Sequence, residues 1–203
     1  MNTTQELLQN LLDGRRSIYE LSPQWVRPQA EVEEMLRQIL LKTPSAYNAQ
    51  PVRIMLLTGQ NHTAHWQVVE DALIAHVGRE AYDNRTRNKV HKAFMNGVAT
   101  LLFLDYTPAT EALQQKYPSY AHNFPLWAEQ VQGSHQALVW SALAHMGFGA
   151  NLQHYIGFAD KEIKERLLIP GELRLVAQMP FGAPAAPPMP IEKLPIEQLL
   201  TVK

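Results

Sequence analysis

The sequence predicts an α+β fold, on three observations. Helical and strand-like segments are mixed along the chain, a pair of helices precedes the first strand, and the order is not the regular strand–helix alternation of a doubly wound dinucleotide fold. With 203 residues, 46% hydrophobic and 18% charged, the chain holds apolar material for one core and lies outside the disordered class.

Thr3-x-x-Glu6 has the form of a capping box. Leu7, Leu8, Leu11 and Leu12 follow at helical spacing, and Gly14 ends that helix. An irregular segment from Arg15 to Tyr19 is closed off by Ser22-Pro23 and Pro28. A second helix is expected from Glu31 to Lys42, with Val32, Met35, Leu36, Ile39 and Leu40 on one side. Pro44 to Pro51 is a loop bracketed by prolines. Val52–Thr58 reads as a buried strand ending at Gly59, and Asn61 is placed to cap a helix running to Val77. Arg79–Lys92 is polar and basic, the pattern of a solvated helix or loop. Gly97–Tyr106 is a second buried strand.

Pro125–Met146 carries the strongest helical signal, apolar over most of its circumference toward its end and therefore central. Ala150–Tyr155 is expected to form a short strand, Asp160 to cap a helix to Leu168, and Leu173–Met179 to be the third main strand. Six of the 14 prolines lie between Pro180 and Pro195, which forbids helix or central strand until Ile196. Residues 1–182 are thus one domain and 183–203 an extended arm. Its apolar residues, Met189, Ile191, Leu194, Leu199 and Leu200, need a surface to lie on, and a second subunit is one candidate.

Eighteen Lys and Arg against 19 Asp and Glu leave a net charge of −1, which disfavours nucleic acid and anionic membranes as partners. There is no cysteine, so disulfides, thiolate metal sites and a cysteine nucleophile are excluded. The longest apolar stretches, near Val98–Leu104 and Ala137–Ala144, are far shorter than a membrane span. Met1 to Glu6 has neither the basic region nor the apolar core of a secretion signal, so a cytoplasmic protein is expected.

Glycine-rich dinucleotide and nucleotide loops, the nucleophile elbow and the zinc-protease helix are all missing from the sequence. His62 and His65, three apart on a helix, read as surface or core-edge histidines. Two features carry chemistry. Arg15-Arg16-Ser17, just past a helix end, places two guanidiniums and a hydroxyl where they suit a phosphate, although a helix C-terminus also favours basic residues. Ser45, Asn48 and Gln50 supply groups that donate and accept, which suits the mixed edge of a heterocycle as well as an ordinary polar turn.

Taken together, Arg15-Arg16-Ser17-Ile18 and Pro44-Ser45-x-x-Asn48-x-Gln50-Pro51 resemble the two N-terminal signatures of the flavin-dependent nitroreductases. Phe94-x-x-Gly97-x-x-Thr100-x-Leu102-Phe103-x-Asp105, Trp140, Gly147 to Tyr155 and Ala177 to Gly182 resemble the branch typified by the yeast fatty-acid-repression-mutant enzymes. The resemblance covers nearly the whole chain. It implies a mostly antiparallel sheet flanked by helices, in an intertwined homodimer binding FMN at the subunit interfaces. The arm would wrap the partner. Ping-pong hydride transfer from NADH or NADPH to FMN, and on to nitroaromatics or quinones, is the family's chemistry.

By the same resemblance, Arg15 and Ser17 hold the FMN phosphate, with Arg16 beside them. Ser45 and Asn48, with Gln50 less firmly, approach the flavin from the other subunit. Leu152, Gln153 and His154 line the isoalloxazine, and Lys193 is a basic phosphate ligand near the C-terminus. Two positions depart from the family pattern: Ile191 stands where many members have a second lysine, and Tyr19 where several have one. One positive charge fewer beside the ring would stabilise reduced flavin less. A flavin- or lipid-binding regulatory protein of the same fold, and a cofactor-free binding module, are the alternative readings.

Overall fold

The computed structural model describes residues 3–203; Met1, Asn2 and the side chain of Leu7 lie outside the described residues. Helix α1 (Thr3–Gly14) is followed by the short strand β1 (Leu21–Ser22), helix α2 (Gln29–Lys42) and strand β2 (Val52–Thr58). Helices α3 (Gly59–Val77), α4 (Arg79–Arg85) and α5 (Arg87–Lys89) lead into a π-helical turn, Val90–Met95, and strand β3 (Ala99–Tyr106). Then come α6 (Thr107–Lys116), the long α7 (Phe124–His145), the two-residue β4 (Gly149–Ala150), α8 (Asp160–Leu167) and β5 (Leu173–Pro184).

The strands form one sheet in the order β1-β5-β3-β2, with β4 also on β5, and every strand pairing is antiparallel. Strand β3 is buried on both faces because its side chains alternate between two cores. Leu102 and Leu104 meet Trp66, Val69 and Ile163 from α3 and α8. Leu101 and Phe103 meet Val32, Val139 and Leu143 from α2 and α7. A β-bulge beside Phe103 and Leu104 shifts the register against β5. The α+β fold with a mostly antiparallel sheet is therefore as the sequence predicts.

Several boundaries differ from the sequence reading. Strand β5 runs to Pro184 instead of stopping at Met179, so prolines do sit in a central strand. Phe181 faces β3, where its carbonyl accepts from Val98. Its neighbour Pro180 therefore faces away, and its missing N–H removes no bond from the β3–β5 ladder. At Gly182 three strands converge: an added Cβ would stand 2.4 Å from the Ser22 carbonyl oxygen, so only glycine fits. Helix α3 begins at Gly59, before Asn61. The Asp160 carboxylate accepts from the Gly157 N–H instead of capping α8. The expected strand over 150–155 is reduced to β4 and a single bridge between Gln153 and Gln178. Among the described residues no helix is long and apolar enough to cross a membrane.

The basic segment is helical and not merely solvated. Tyr82 is fully buried, and its hydroxyl donates to Glu70 Oε1 at 2.8 Å, with His91 Nε2 donating to the same oxygen at 3.0 Å. Burial pushes the Glu70 carboxyl up, but the His91 and Tyr82 hydrogen bonds outweigh it and the net shift is downward.

His62 and His65 are both buried, deeper than the surface or core-edge placement expected of them. The Thr100 hydroxyl sits between partners, accepting from Trp66 Nε1 and donating to His62 Nδ1, each at 2.8 Å, while His62 Nε2 donates to the Met95 carbonyl. His65 has no hydrogen-bond partner among the described residues. Burial, helped by the nearby His62, lowers its pKa from 6.5 to about 3. The unfolded chain then binds one more proton over that interval, so stability is lost as pH falls from 6.5 toward 3. The loss between neutral conditions and about pH 4.5 amounts to about 2 kcal/mol. Replacing His65 with Gln is expected to flatten this part of the stability profile, measured by denaturant unfolding across pH. An unchanged slope would exclude His65 as the titrating group.

Candidate functional site

After α1 ends at Gly14 the chain runs extended beside β4. Ser17 forms a parallel bridge with Ala150, and the Ile18 N–H donates to the Ala150 carbonyl at 2.9 Å. Ile18 is buried, so the alternation of an extended chain puts Arg15, Ser17 and Tyr19 on one side and Arg16 on the other. Arg16 is used by the arm: its Nη2 donates to the Met189 carbonyl at 2.6 Å. Arg15 is half-buried, and its guanidinium carbon lies 4.7 Å from the centre of the Trp140 ring. Neither the Arg15 guanidinium nor the Ser17 hydroxyl has a hydrogen-bond or ion-pair partner among the described residues. A partly desolvated cation with its donors free is arranged for an anion.

Asn151 fixes this segment in place. It is fully buried, and its amide donates to the carbonyls of Ile18 at 2.9 Å and Ala93 at 3.0 Å. Its oxygen accepts from Gln153 Nε2 at 2.8 Å. Leu152 and Gln153 follow directly, half-buried and buried, while the His154 side chain is exposed. The Gln153 backbone exchanges two hydrogen bonds with Gln178 at 2.8 and 2.9 Å, and the Gln178 amide holds both the N–H and the carbonyl of Tyr155. Burial, then the neighbouring Tyr19, raises the Tyr155 phenol pKa, so the ring stays neutral.

Lys89 is a second cation held over aromatic rings. Its Nζ stands 5.8 Å from the Tyr19 ring centre and 5.6 Å from that of Phe94, and it has no ion-pair partner among the described residues. Thus a lysine does reach Tyr19, from another segment. The family resemblance leaves one basic residue of Arg79–Lys92 to reach the flavin without saying which, and Lys89 is one of that stretch.

Ser45, Asn48 and Gln50 lie elsewhere. Their loop is strained, with positive φ at Tyr47 (54°), Asn48 (54°) and Gln50 (48°). Ser45 Oγ accepts from the Gln50 N–H at 2.9 Å, and Gln50 Nε2 donates to Asn48 Oδ1 at 3.2 Å. Tyr47 anchors the loop, packing on Tyr117, Phe124 and Trp127 with ring centres 4.9, 5.5 and 6.2 Å away. The loop opens into β2 at Val52, which pairs with Asp105 at one end of β3, whereas Ala150 and Ser17 lie by Phe181, which pairs with Ala99 at the other. Six strand residues, about 20 Å, separate the two groups. One chain therefore does not bring them together. Lys193 lies on the exposed arm.

The chain is thus an antiparallel α+β sheet with an anion-ready segment at one end and a polar loop at the other. The chain belongs to the Nitroreductase family, whose model matches residues 12–183. It is 34% identical over 179 residues to putative nitroreductase HBN1 of Saccharomyces cerevisiae, covering 87% of this chain and 88% of that protein. The yeast nitroreductase FRM2 is 30% identical over 197 residues, 95% of each. In structure it is similar to nitroreductase CinD from Lactococcus lactis, solved with chloramphenicol, at 30% identity and a TM-score of 0.84 over 97% of this chain and 99% of that one.

Replacing Asn151 with Leu keeps the volume but leaves Ile18 and Ala93 carbonyls and the Gln153 amide without their partner. A loss of about 2–4 kcal/mol of unfolding free energy is expected in denaturant titrations. A loss under about 0.5 kcal/mol would mean that water replaces the amide.

Proposed function

We propose that this chain is an FMN-dependent nitroreductase that acts as an intertwined homodimer, taking electrons from NADH or NADPH and passing them to nitroaromatics or quinones. The observation that carries this reading is the unpaired Arg15 guanidinium beside the free Ser17 hydroxyl. The pair suits a phosphate monoester, which accepts a bidentate Arg contact and a short hydroxyl bond.

Arg15 and Ser17 hold the FMN phosphate in this reading, with Arg16 adding charge from behind and Lys193 arriving on the arm of the partner. Leu152, Gln153 and His154 line the ring, and Lys89 places a cation near its edge beside Tyr19. The Ser45–Gln50 loop lies about 20 Å from that group along the sheet. It reaches the flavin only from a second subunit. Bound FMN supplies the hydride chemistry in two half-reactions, reduction by the nicotinamide and oxidation by the acceptor. The chain's own residues anchor, orient and exclude water; none is needed as nucleophile or acid. Nitro-compound binding by CinD supports an aromatic acceptor.

Dimerisation is supported by apolar surface that this chain alone leaves in water. Leu8 and Leu12 on α1 are 56% and 63% exposed, and Ile191, Leu194, Leu199 and Leu200 on the arm are 56–62% exposed. With β5 ending at Pro184, the arm that straps the subunits begins just past it, two residues later than the 183–203 read from the sequence, and runs to Lys203.

The first test is the visible spectrum of the purified protein, followed by anaerobic NADH and then NADPH. Flavin bands that bleach support the reading. Bands that persist with both donors overturn the electron-donor assignment, and no bands after reconstitution with FMN overturn the cofactor. Arg15→Ala is expected to weaken FMN binding about 10–150-fold, read by flavin-fluorescence titration. Unchanged affinity would remove the phosphate site. Deleting residues 187–203 is expected to shift sedimentation from dimer toward monomer, and a fully dimeric truncation would exclude the arm from the interface.

A further inference from the structure

We propose that Trp140 is a positioning residue for the phosphate-binding Arg15, holding its guanidinium by a cation–π contact that orients the charge without neutralising it. The inference rests on the flavin-phosphate reading above and assigns a role to a residue of α7 outside the candidate ligand set.

The contact places the Arg15 guanidinium carbon 4.7 Å from the centre of the indole. Trp140 is held in turn, packed against the core formed by Val139, Leu143 and Phe148. Its Nε1 is buried with no acceptor among the described residues, so the indole is not kept there by a hydrogen bond of its own. Packing and the cation are what fix it.

A guanidinium is usually fixed in a site by a carboxylate or a backbone carbonyl. Either one consumes N–H donors, and a carboxylate also cancels the charge that an incoming phosphate needs. The face of an aromatic ring attracts the cation through its quadrupole and uses none of the five donors, which point outward in the guanidinium plane. Indole has the strongest such face among the side chains. Arg15 therefore meets an anion with its geometry set and its charge intact, and little rotamer freedom is left to be lost on binding.

FMN and riboflavin separate this role from simple packing, because riboflavin has the same ring system and no phosphate. The experiment titrates both flavins into the full-length protein by fluorescence quenching, for the parent, Trp140→Met, Trp140→Phe, Arg15→Ala, and Trp140→Met combined with Arg15→Ala. Trp140→Met is expected to weaken FMN binding about 2–30-fold while leaving riboflavin binding within about twofold. Trp140→Phe should restore most of the loss, and Trp140→Met should add nothing once Arg15 is gone. An equal loss for both flavins, or a full additional loss in the Arg15→Ala background, overturns the proposal and makes Trp140 a packing residue. If Arg15→Ala leaves the preference for FMN over riboflavin unchanged, the phosphate site itself falls, and this role falls with it. Should Trp140→Met not fold, Trp140→Leu carries the same comparison.

Discussion

The amide of Asn151 is the joint on which this end of the molecule depends. Three segments meet there: the extended exit from α1, the π-helical turn of residues 90–95, and the chain leaving β4. None has enough ladder bonds to hold its own position. Ser17 makes one bridge and β4 is two residues long. Asn151 spends both N–H groups on Ile18 and Ala93 and its oxygen on Gln153, so one buried side chain sets the distance between all three. Arg15 and Ser17 lie within three residues of Ile18, and Lys89 lies four from Ala93. The cationic group is thus arranged by a neutral amide that touches none of its charges. Buried amides suit this work because each unmet partner would carry its full desolvation cost.

The sheet does the opposite at long range: it keeps things apart. Both faces of β3 are covered, so the strand is a rigid spacer with the Ser17 segment near Ala99 and the Ser45–Gln50 loop near Asp105. The loop is held in strained left-handed backbone by the Tyr47 ring on Tyr117 and Phe124. Strain of this kind costs about 1–3 kcal/mol per residue and persists where surrounding packing determines it. A polar loop held so firmly, far from the cationic group of its own chain, is what an interface-built site requires of each subunit.

The fold was legible because apolar periodicity is a local signal. The helices α2, α3 and α7 and the strands β2 and β3 all appear in the sequence within a few residues of their true limits. What failed was non-local. Six prolines argued against a strand past Pro180, but the direction in which a proline nitrogen faces depends on which neighbour pairs with which side. His62 and His65 read as surface or core-edge residues because a polar residue on a helix says nothing of a threonine from a distant strand, Thr100, waiting to pair with one of them. At the site, Arg15 and Ser17 were found by their chemistry and by a family resemblance. Trp140 was only part of the family pattern and Lys89 only one of several basic residues, since only the folded chain brings the last turns of α7 over Arg15 and a basic helix over Tyr19.

The charges show why these two matter. With a net charge of −1 the chain has no general excess of cations to attract an anion, so attraction must come from local exemption from pairing. Arg37 and Arg174 are paired with carboxylates, as surface arginines commonly are. Arg15 and Lys89 instead lie over rings, of Trp140 and of Tyr19 and Phe94. An aromatic cradle fixes a cation in direction while leaving its field and donors available. Tyr19 is then more than an uncharged side chain beside the cation. It is a surface over which Lys89 brings a cation from a different segment. The place of that cation is therefore set by the packing of Tyr19 and Phe94 together.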